Sequence, residues 1–281
     1  MRKILLVACL AVSAAGGGYF VQNFRVEGLD EIRIVRRSPA DTDARGARAG
    51  KGGVSSVLDN FRWEDPVAAK NGQDTIRVAS FNIQVFGSSK VDKPHVMEIL
   101  ARVVRRFVEV AIQEIRSRSQ DILPRFVDVL NASGRHYDYV IGPRLGRTNS
   151  QEQYAFVFDR ATLEVDRLHM YTVADPDDLL HRPPLVAAFR VRGPPPDQAF
   201  TFTLVNVHTD PDEVQQELNV LDDVFRLVQN DGRGEDDVIM LGDFNADDKH
   251  LGDLGQLTGM SCAIISLPTN TRGTNQYDNL I

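Results

Sequence analysis

The sequence predicts an α/β fold built from two packed sheets with outer helices. Between residues 76 and 134, apolar residues follow strand and helix periods in the order β, α, β, α, which is typical of an α/β arrangement. Beyond residue 137 come several short apolar stretches separated by turns, then one more helical pattern and a buried strand. Two such halves indicate two sheets that pack against each other.

The composition is that of a globular protein. With 281 residues, of which 42% are hydrophobic and 25% charged, the chain can form one large domain with a substantial core. The formal net charge of -7 argues against a broad basic surface, so any contact with nucleic acid must be local and assisted by bound cations. The two cysteines, Cys9 and Cys262, make a disulfide framework unlikely on their number alone.

Residues 1–22 have the features of an export signal. Met1-Arg2-Lys3 is followed by the apolar run Ile4 to Ala15, with small residues at its end where cleavage could occur. With the apolar residues up to Val21, the run approaches the roughly 20 residues that span a bilayer. A cleaved signal and a retained membrane anchor are both open, and either predicts a location outside the cytoplasm, secreted, periplasmic or membrane-anchored.

Residues 23–73 are predicted to be a tether and lead-in segment, because Arg37 to Lys51 is polar and has neither apolar period. The folded domain is predicted to cover residues 74–281. Its first strand runs from about Thr75 into Asn82-Ile83-Gln84-Val85-Phe86-Gly87. A helix follows Pro94, and three arginines are expected on its exposed face: Arg102, Arg105 and Arg106.

The remaining elements follow from the same patterns. A short buried strand covers Val108 to Ile112 and ends at Gln113-Glu114, and a second helix begins near Ile122. A further helix includes Val214 to Val228, and Val238-Ile239-Met240-Leu241 is a buried strand. The other predicted strands are Tyr137 to Ile141, Tyr154 to Phe158, Leu185 to Val191 and Phe200 to Val207.

Several polar residues stand at the predicted strand ends. Asp243 and Asn245 follow the strand that ends at Leu241, at the carboxyl edge where α/β sheets commonly bind ligands, although Gly, Asp and Asn also suit a simple turn. Glu114 closes another buried strand and offers the carboxylate oxygens that Mg²⁺ prefers, although an ion pair with Arg116 is the alternative. Asn82 holds the equivalent position on the first strand.

A histidine and two arginines complete the set. His208 lies on the same strand face as Leu204 and Asn206, where a neutral imidazole could transfer a proton, and Glu152 is a candidate to hold and polarise it. Arg147 and Arg182 lie in loops, where their guanidinium groups could grip phosphates, although a solvated surface arginine is the alternative for each.

Taken in order, these segments resemble the deoxyribonuclease I-like members of the endonuclease/exonuclease/phosphatase superfamily, over roughly Ile76 to Ile281. The matching stretches are Ala79-Ser80-Phe81-Asn82-Ile83-Gln84-Val85-Phe86-Gly87, Ile112-Gln113-Glu114-Ile115-Arg116, Leu145-Gly146-Arg147 with Glu152 and Tyr154, Val207-His208-Thr209, Leu241-Gly242-Asp243-Phe244-Asn245-Ala246-Asp247, and Thr274-Asn275 with Tyr277-Asp278.

The resemblance implies a four-layer α/β/β/α sandwich and the Mg²⁺-dependent hydrolysis of DNA phosphodiesters to 5′-phosphate and 3′-hydroxyl ends. Mn²⁺ or Ca²⁺ are alternative ions. The family's roles, carried over, make Asn82 and Glu114 the metal-positioning residues, Asp243 and Asn245 the residues that orient water and phosphate, and Glu152 with His208 an acid/base pair. Arg116 and Arg147 would hold the DNA backbone, and Tyr154 would help shape the site. Arg182 joins these DNA- and phosphate-binding candidates from its position in a loop, not from the resemblance.

The resemblance also implies a second acid/base pair, in which Asp278 would be the aspartate. Its histidine would come later, in a Ser-Asp-His motif on the last strand, whereas the sequence stops at Ile281. We therefore expect a sandwich without its last strands, a chain of poor activity and reduced stability. Two alternatives keep the fold: a lipid or sugar phosphodiesterase or phosphatase, which a membrane anchor would suit, and an inactive DNA-binding homologue.

Overall fold

The computed structural model describes residues 75–148 and 151–281, and the backbone of three short strands before them. The strands are β1 (Leu5–Leu6), β2 (Phe24–Glu27), β3 (Arg33–Arg36), β4 (Arg77–Phe86), β5 (Glu109–Ile115), β6 (Tyr137–Ile141), β7 (Gln153–Asp159), β8 (Leu163–Val165), β9 (Tyr171–Thr172), β10 (Leu185–Val191), β11 (Thr201–His208), β12 (Val238–Asp243) and β13 (Asp278–Leu280). The helices are α1 (Ser88–Val91), α2 (Pro94–Val104), α3 (Ile122–Asn131) and α4 (Val214–Gln229), with a 3-10 helix at Gly252–Gln256.

The strands form two mixed sheets. In the first, the order is β1-β4-β5-β7-β6, with β4 parallel to β5 and β7 antiparallel to β5. In the second, the order is β13-β12-β11-β10-β8, with β11 parallel to β12 and β9 paired to β10. Because the parallel strands of each pair end at the same edge of their sheet, each sheet presents two strand ends side by side.

Three apolar clusters separate the layers. Phe81, Ile112 and Phe126 belong to the cluster between the first sheet and helices α2 and α3. Residues of both sheets, such as Phe156 and Leu204, form the second cluster, which lies between the sheets. The third cluster joins the second sheet to α4. The layers are therefore helix, sheet, sheet and helix, so the predicted α/β/β/α sandwich is confirmed.

One helix face was predicted incorrectly. Arg105 follows α2 and was expected to face solvent, but its side chain is buried. Its Nε donates to the Leu130 carbonyl at 3.2 Å and its guanidinium also reaches the Val129 carbonyl at 2.5 Å, so it caps the end of α3. A long side chain can therefore fold back beneath its own helix when backbone acceptors are within reach.

The segment before the sandwich forms a separate unit, residues 15–73, in which β2 and β3 pair antiparallel. This hairpin was not predicted. Apart from the Leu5–Leu6 backbone, the predicted signal or anchor lies outside the described residues, as does the polar run 37–51. Among the helices that the structure describes, none is both long and apolar enough to cross a membrane.

Candidate active site

The strand ends that carry the predicted site residues have unusual backbone. Gln84, Val85, Glu114 and Asn245 all have positive φ, between 43° and 62°. The pairing of β4 with β5 is interrupted between residues 82 and 86, and that of β5 with β7 between residues 112 and 115. Each such non-glycine residue costs about 1–3 kcal/mol and persists only where surrounding structure enforces it. Bulges of this kind re-aim side chains at sheet edges.

Asn82 links the two sheets at the site. Its Nδ2 donates to Glu114 Oε1 at 3.1 Å, within the first sheet, and to Asp243 Oδ2 at 2.9 Å, at the end of β12. The bulge supports both partners from the other side, because the Gln84 amide donates to Asn82 Oδ1 and the Val85 amide donates to Glu114 Oε2, each at 2.8 Å. The left-handed backbone thus directs two amides at the predicted metal-positioning residues. We call Asn82, Glu114 and Asp243 the carboxylate cluster.

Lys90 lies beneath this bulge and was not predicted. It is buried, on α1, and its ammonium donates to the Ile83 carbonyl at 3.0 Å and to the Gln84 carbonyl. Burial lowers the pKa of Lys90, while the nearby Glu114 carboxylate opposes that shift. A lysine in a short polar stretch has no sequence feature that distinguishes it from a solvated one, so only the folded bulge shows its role.

The carboxylate cluster fits a divalent cation. Burial raises the pKa of Asp243; the charge of His208 and hydrogen bonds from Asn245 and Asn82 oppose this, and the Glu114 carboxylate adds to it. The buried carboxylates of Glu114 and Asp243, which Asn82 Nδ2 links, are the hard oxygen donors that Mg²⁺, Mn²⁺ and Ca²⁺ take. A separate acidic run of Glu235, Asp236 and Asp237 lies at the opposite end of β12.

Asp243 and Asn245 form a turn as well as part of the site. The Asn245 amide donates to Asp243 Oδ1 at 3.0 Å, and Asn245 Nδ2 donates to the Thr209 carbonyl at 2.9 Å. A Cβ on Gly242 would lie 1.9 Å from the Val207 carbonyl oxygen, so only glycine fits there. The segment can therefore be both a turn and part of the site, because the turn directs the Asp243 side chain at Asn82 and the Asn245 side chain at the Thr209 carbonyl.

The predicted acid/base pair is assembled. His208 Nδ1 lies 2.6 Å from Glu152 Oε1, and both side chains are buried. The other ring nitrogen, Nε2, lies 4.0 Å from Asp243 Oδ2. With Nδ1 donating to Glu152, Nε2 is the acceptor of the neutral imidazole. A proton acceptor therefore faces the carboxylate cluster.

The two members of this pair shift each other's pKa. Burial favours the neutral imidazole, but the Glu152 charge and hydrogen bond outweigh it, so the pKa of His208 is raised. Burial also favours a neutral Glu152, but His208, then Arg182 and Arg116, outweigh it, so the pKa of Glu152 is lowered. The geometry thus stabilises an imidazolium beside a carboxylate, which is what a proton-accepting histidine needs.

Arg116 connects the carboxylate cluster to the acid/base pair. Its Nε lies 3.2 Å from Glu114 Oε2 and 3.3 Å from Glu152 Oε2. The ion pair with Glu114, the alternative considered from the sequence, does form. It is not a simple surface pair, because the Glu114 side chain is buried while Arg116 is 27% exposed. This partial exposure leaves the guanidinium accessible from solvent.

Arg182 is not placed as predicted, because its side chain is buried and its guanidinium is directed at backbone carbonyls instead of solvent. Tyr154, which was expected to help shape the site, is buried beside it. Arg182 donates to the carbonyls of His208 and Thr209, each at 3.0 Å, and the Tyr154 hydroxyl lies 3.3 Å from the carbonyls of Arg182 and His208. A loop arginine can be buried in this way because the surrounding carbonyls and carboxylates replace the water that would otherwise solvate its charge.

The other predicted residues lie in different surroundings. Arg147 is exposed and pairs with Asp178 at 3.1 Å and with Glu213 at 2.6 Å. Asp278 is buried and stands opposite Asp243 in the register of β12 and β13, so the two share one sheet face. The structure thus places Asp278 beside the carboxylate cluster, while Arg147 holds two loops together.

A groove lies next to Asn245 and has room for a substrate larger than one phosphate group. Its volume is about 690 Å³, it begins at Asn245, and polar side chains line it, among them Lys249, His250, Asn275 and Tyr277. Gln113, which precedes Glu114, also links the two sheets, because its Nε2 donates to Asn206 Oδ1 at 2.7 Å.

Comparison with known proteins agrees with this geometry. A sequence model of the Endonuclease/Exonuclease/phosphatase family matches residues 79–279. Deoxyribonuclease gamma of Rattus norvegicus is 33% identical over 185 residues, covering 64% of this chain and 58% of the relative. Deoxyribonuclease-1-like 1 of Chlorocebus aethiops is 37% identical over 180 residues, covering 63% of this chain and 57% of the relative. The chain thus matches a little over half the length of these relatives.

Solved structures share the fold. A functionally unknown conserved protein from Enterococcus faecalis superposes with a TM-score of 0.50 at 15% identity, covering 72% of this chain and 85% of its own. At that identity the likeness concerns the fold alone. The chemistry has to be inferred from the site.

Proposed function

The chain belongs to the endonuclease/exonuclease/phosphatase family, and on that premise we propose that it is a divalent-metal-dependent endodeoxyribonuclease. One observation carries the proposal: His208, held by Glu152, directs Nε2 at the carboxylate cluster across 4.0 Å. The deoxyribonuclease names of the sequence relatives support DNA as the substrate. Family membership alone supports only a hydrolase.

Each residue has a defined task in this mechanism. Asn82 and Glu114 would hold the cation, as the predicted metal-positioning residues. When bound, a divalent cation supplies positive charge that stabilises the charge developing on the phosphate oxygens. His208 Nε2 takes a proton from the attacking water, and Glu152 stabilises the resulting imidazolium. Asp243 and Asn245 orient the water and the phosphate.

Substrate binding would rest on charge and on the groove. Arg116 is partly exposed between the two halves of the centre, where it can contact a phosphate oxygen. Lys249 and His250 in the groove could contact the neighbouring backbone phosphates. Phosphate contacts carry no sequence information, so we expect cleavage that is largely indifferent to sequence.

A plasmid assay tests the proposal. Supercoiled DNA incubated with the protein and Mg²⁺ should be nicked, and EDTA should prevent nicking. DNA ligase should then reseal the nicks, because it requires 5′-phosphate and 3′-hydroxyl ends. The variants Glu114→Gln and His208→Ala should lose activity, whereas His169→Ala should not, since His169 also pairs with a carboxylate, Asp166 at 2.7 Å, but on the surface.

Other outcomes identify the alternatives. Hydrolysis of a phosphomonoester or a choline phosphodiester in place of DNA would replace the nuclease by the lipid or sugar phosphate hydrolase of the same fold. Metal-dependent DNA binding without any turnover, unchanged in His208→Ala, would indicate a binding homologue. Either result would overturn the proposed activity while leaving the family assignment intact.

A further inference from the structure

A buried polar network contacts both members of the acid/base pair. Arg182, in the loop before β10, is its centre, and its side chain is only 4% exposed. Its Nε lies 3.0 Å from the His208 carbonyl and 3.6 Å from Glu152 Oε1. Its terminal nitrogen donates to the Thr209 carbonyl at 3.0 Å and lies 3.9 Å from Asp210 Oδ2.

Glu217 completes the network from α4. Its side chain is buried, and its two carboxylate oxygens accept different backbone amides. Oε1 accepts the amide of His181, which precedes Arg182, and Oε2 accepts the amide of Asp210 at 2.6 Å. The helix therefore ties the loop that carries Arg182 to the segment that follows His208.

The network binds both members of the acid/base pair to one frame. Tyr154, two residues after Glu152, brings its hydroxyl to 3.3 Å from the carbonyls of Arg182 and His208. Arg182 thus contacts the backbone of His208 and the carboxylate of Glu152 with one planar group. A guanidinium can do this because its donors are fixed in a rigid fork, whereas an ammonium is a single point charge.

We propose that Arg182 and Glu217 are positioning residues that hold His208 and Glu152 at their 2.6 Å separation, so that Nε2 stays directed at the carboxylate cluster. They act through the pair, because Arg182 donates to the His208 and Thr209 carbonyls and the carboxylate oxygens of Glu217 accept the His181 and Asp210 amides. The proposal rests on the proposed function for its effect on turnover, while its structural part can be tested without turnover.

The main test uses Arg182→Lys, which keeps the charge but loses the fork. We expect kcat on a DNA oligonucleotide to fall roughly 10- to 100-fold with KM nearly unchanged, the range seen when outer partners of functional groups are removed. Glu217→Gln, which keeps the size, should produce a smaller fall in the same direction.

Arg105→Lys is the matched control, because Arg105 is also buried, also donates to two backbone carbonyls and also pairs with a carboxylate, Glu98 at 3.2 Å. It lies at the end of α2, in the helix layer on the first sheet. Both lysine variants should lower the thermal unfolding midpoint, but only Arg182→Lys should lower kcat. Equal losses of kcat in the two variants would show that Arg182 is merely structural.

A double-mutant cycle adds a second criterion. If Arg182 acts through the pair, Arg182→Lys should cost no more than about twofold in the His208→Ala background, since residues that act as a unit are non-additive. The same 10- to 100-fold loss in both backgrounds would overturn the proposal.

Nuclear magnetic resonance separates this inference from the proposed function. In protein labelled with ¹⁵N-histidine, the Nδ1 proton of His208 should give a low-field signal because of its short hydrogen bond to Glu152. That signal should shift or broaden in Arg182→Lys and Glu217→Gln, and stay in place in Arg105→Lys. An unchanged signal would refute the positioning role, whereas absence of turnover in the wild type would refute only the nuclease activity.

Discussion

Two equally buried glutamates stand at opposite ends of the β5–β7 ladder, and their pKa values are shifted in opposite directions. Glu109 begins β5, and among the described residues neither of its carboxylate oxygens has a hydrogen-bond partner. Glu152 precedes β7 at the other end and contacts His208, Arg116 and Arg182. Burial raises the pKa of Glu109 well above its ordinary value, whereas the partners of Glu152 overcome burial and lower its pKa.

The difference shows that partners, more than depth, decide the charge of a buried carboxyl. Glu114, on the same strand as Glu109, is a third case: it is supported by the Val85 amide, Asn82 and Arg116. At the functional end of the sandwich, the buried glutamates thus have amide and cationic partners, whereas Glu109 at the other end has none among the described residues. Four experiments test this dependence on partners.

The largest effect is expected from Glu152→Gln. Without the carboxylate, His208 loses the partner that stabilises its imidazolium, and kcat for DNA cleavage should fall by about 10²- to 10⁴-fold. The matched control is Glu109→Gln, the same substitution at an equally buried position, which should leave kcat unchanged. Steady-state kinetics on both variants decides; a fall of less than tenfold for Glu152→Gln would mean that the pair is not the proton acceptor.

The next effect is expected from Lys90→Met. Without the ammonium under the bulge, the amides of Gln84 and Val85 lose their support, and divalent cations should bind about 10- to 100-fold more weakly, as for outer partners of metal ligands. Calorimetric titration with Mn²⁺ measures this independently of turnover. Lys93→Met, at the exposed start of α2, is the control; equal affinities in the two variants would contradict the role of Lys90.

The third prediction concerns the pH dependence of stability. Because the folded-state pKa of Glu109 is raised above its ordinary value of 4.5, its stabilising contribution is complete below that value and is lost as pH rises through the folded pKa. Relative to Glu109→Gln, the wild type should therefore lose unfolding free energy as the pH rises above 4.5. Urea unfolding at several pH values measures it, and parallel curves would be inconsistent with a protonated Glu109.

The smallest effect is expected from Arg147→Ala. Its partners Asp178 and Glu213 are exposed or partly exposed, so the unfolding free energy should change by less than about 1 kcal/mol, and less at high salt. If Arg147 also holds the DNA backbone, KM should rise while kcat on a small phosphodiester stays unchanged. A loss of unfolding free energy as large as that for a buried ion pair would show that ion pairs at the surface stabilise the protein as much as those in the core.

Much of the fold could be predicted because it rests on local periodicity. The buried strands β5, β11 and β12 and the helices α2, α3 and α4 all follow from apolar residues at period two or 3.6. The polar residues at the strand ends could also be predicted, since strands that are parallel bring their ends to one edge. Short elements such as α1, β8 and β9 were missed because a few residues do not establish a period.

The roles of the long cationic side chains could not be predicted. Arg105, Arg182 and Arg147 look alike in the sequence, yet the first two are buried against backbone carbonyls and the third is exposed. The role of Lys90 likewise depends on the bulge in β4, which the local sequence pattern does not predict. A flexible side chain of this kind reaches acceptors far along the chain, so its environment is a tertiary property.

The α/β layering, the polar residues Asn82, Glu114, His208 and Asp243 along the strands, and the candidate pairing of Glu152 with His208 could be predicted from the sequence, because they follow from short-range pattern and residue chemistry. The contacts that stabilise or disfavour each charge in the core are visible only in the folded protein. Glu109 and Glu152 are the same residue at the same depth, but in the described part of the chain only Glu152 has charged partners from distant segments. Burial therefore raises the pKa of Glu109, whereas His208, Arg182 and Arg116 overcome burial and lower the pKa of Glu152.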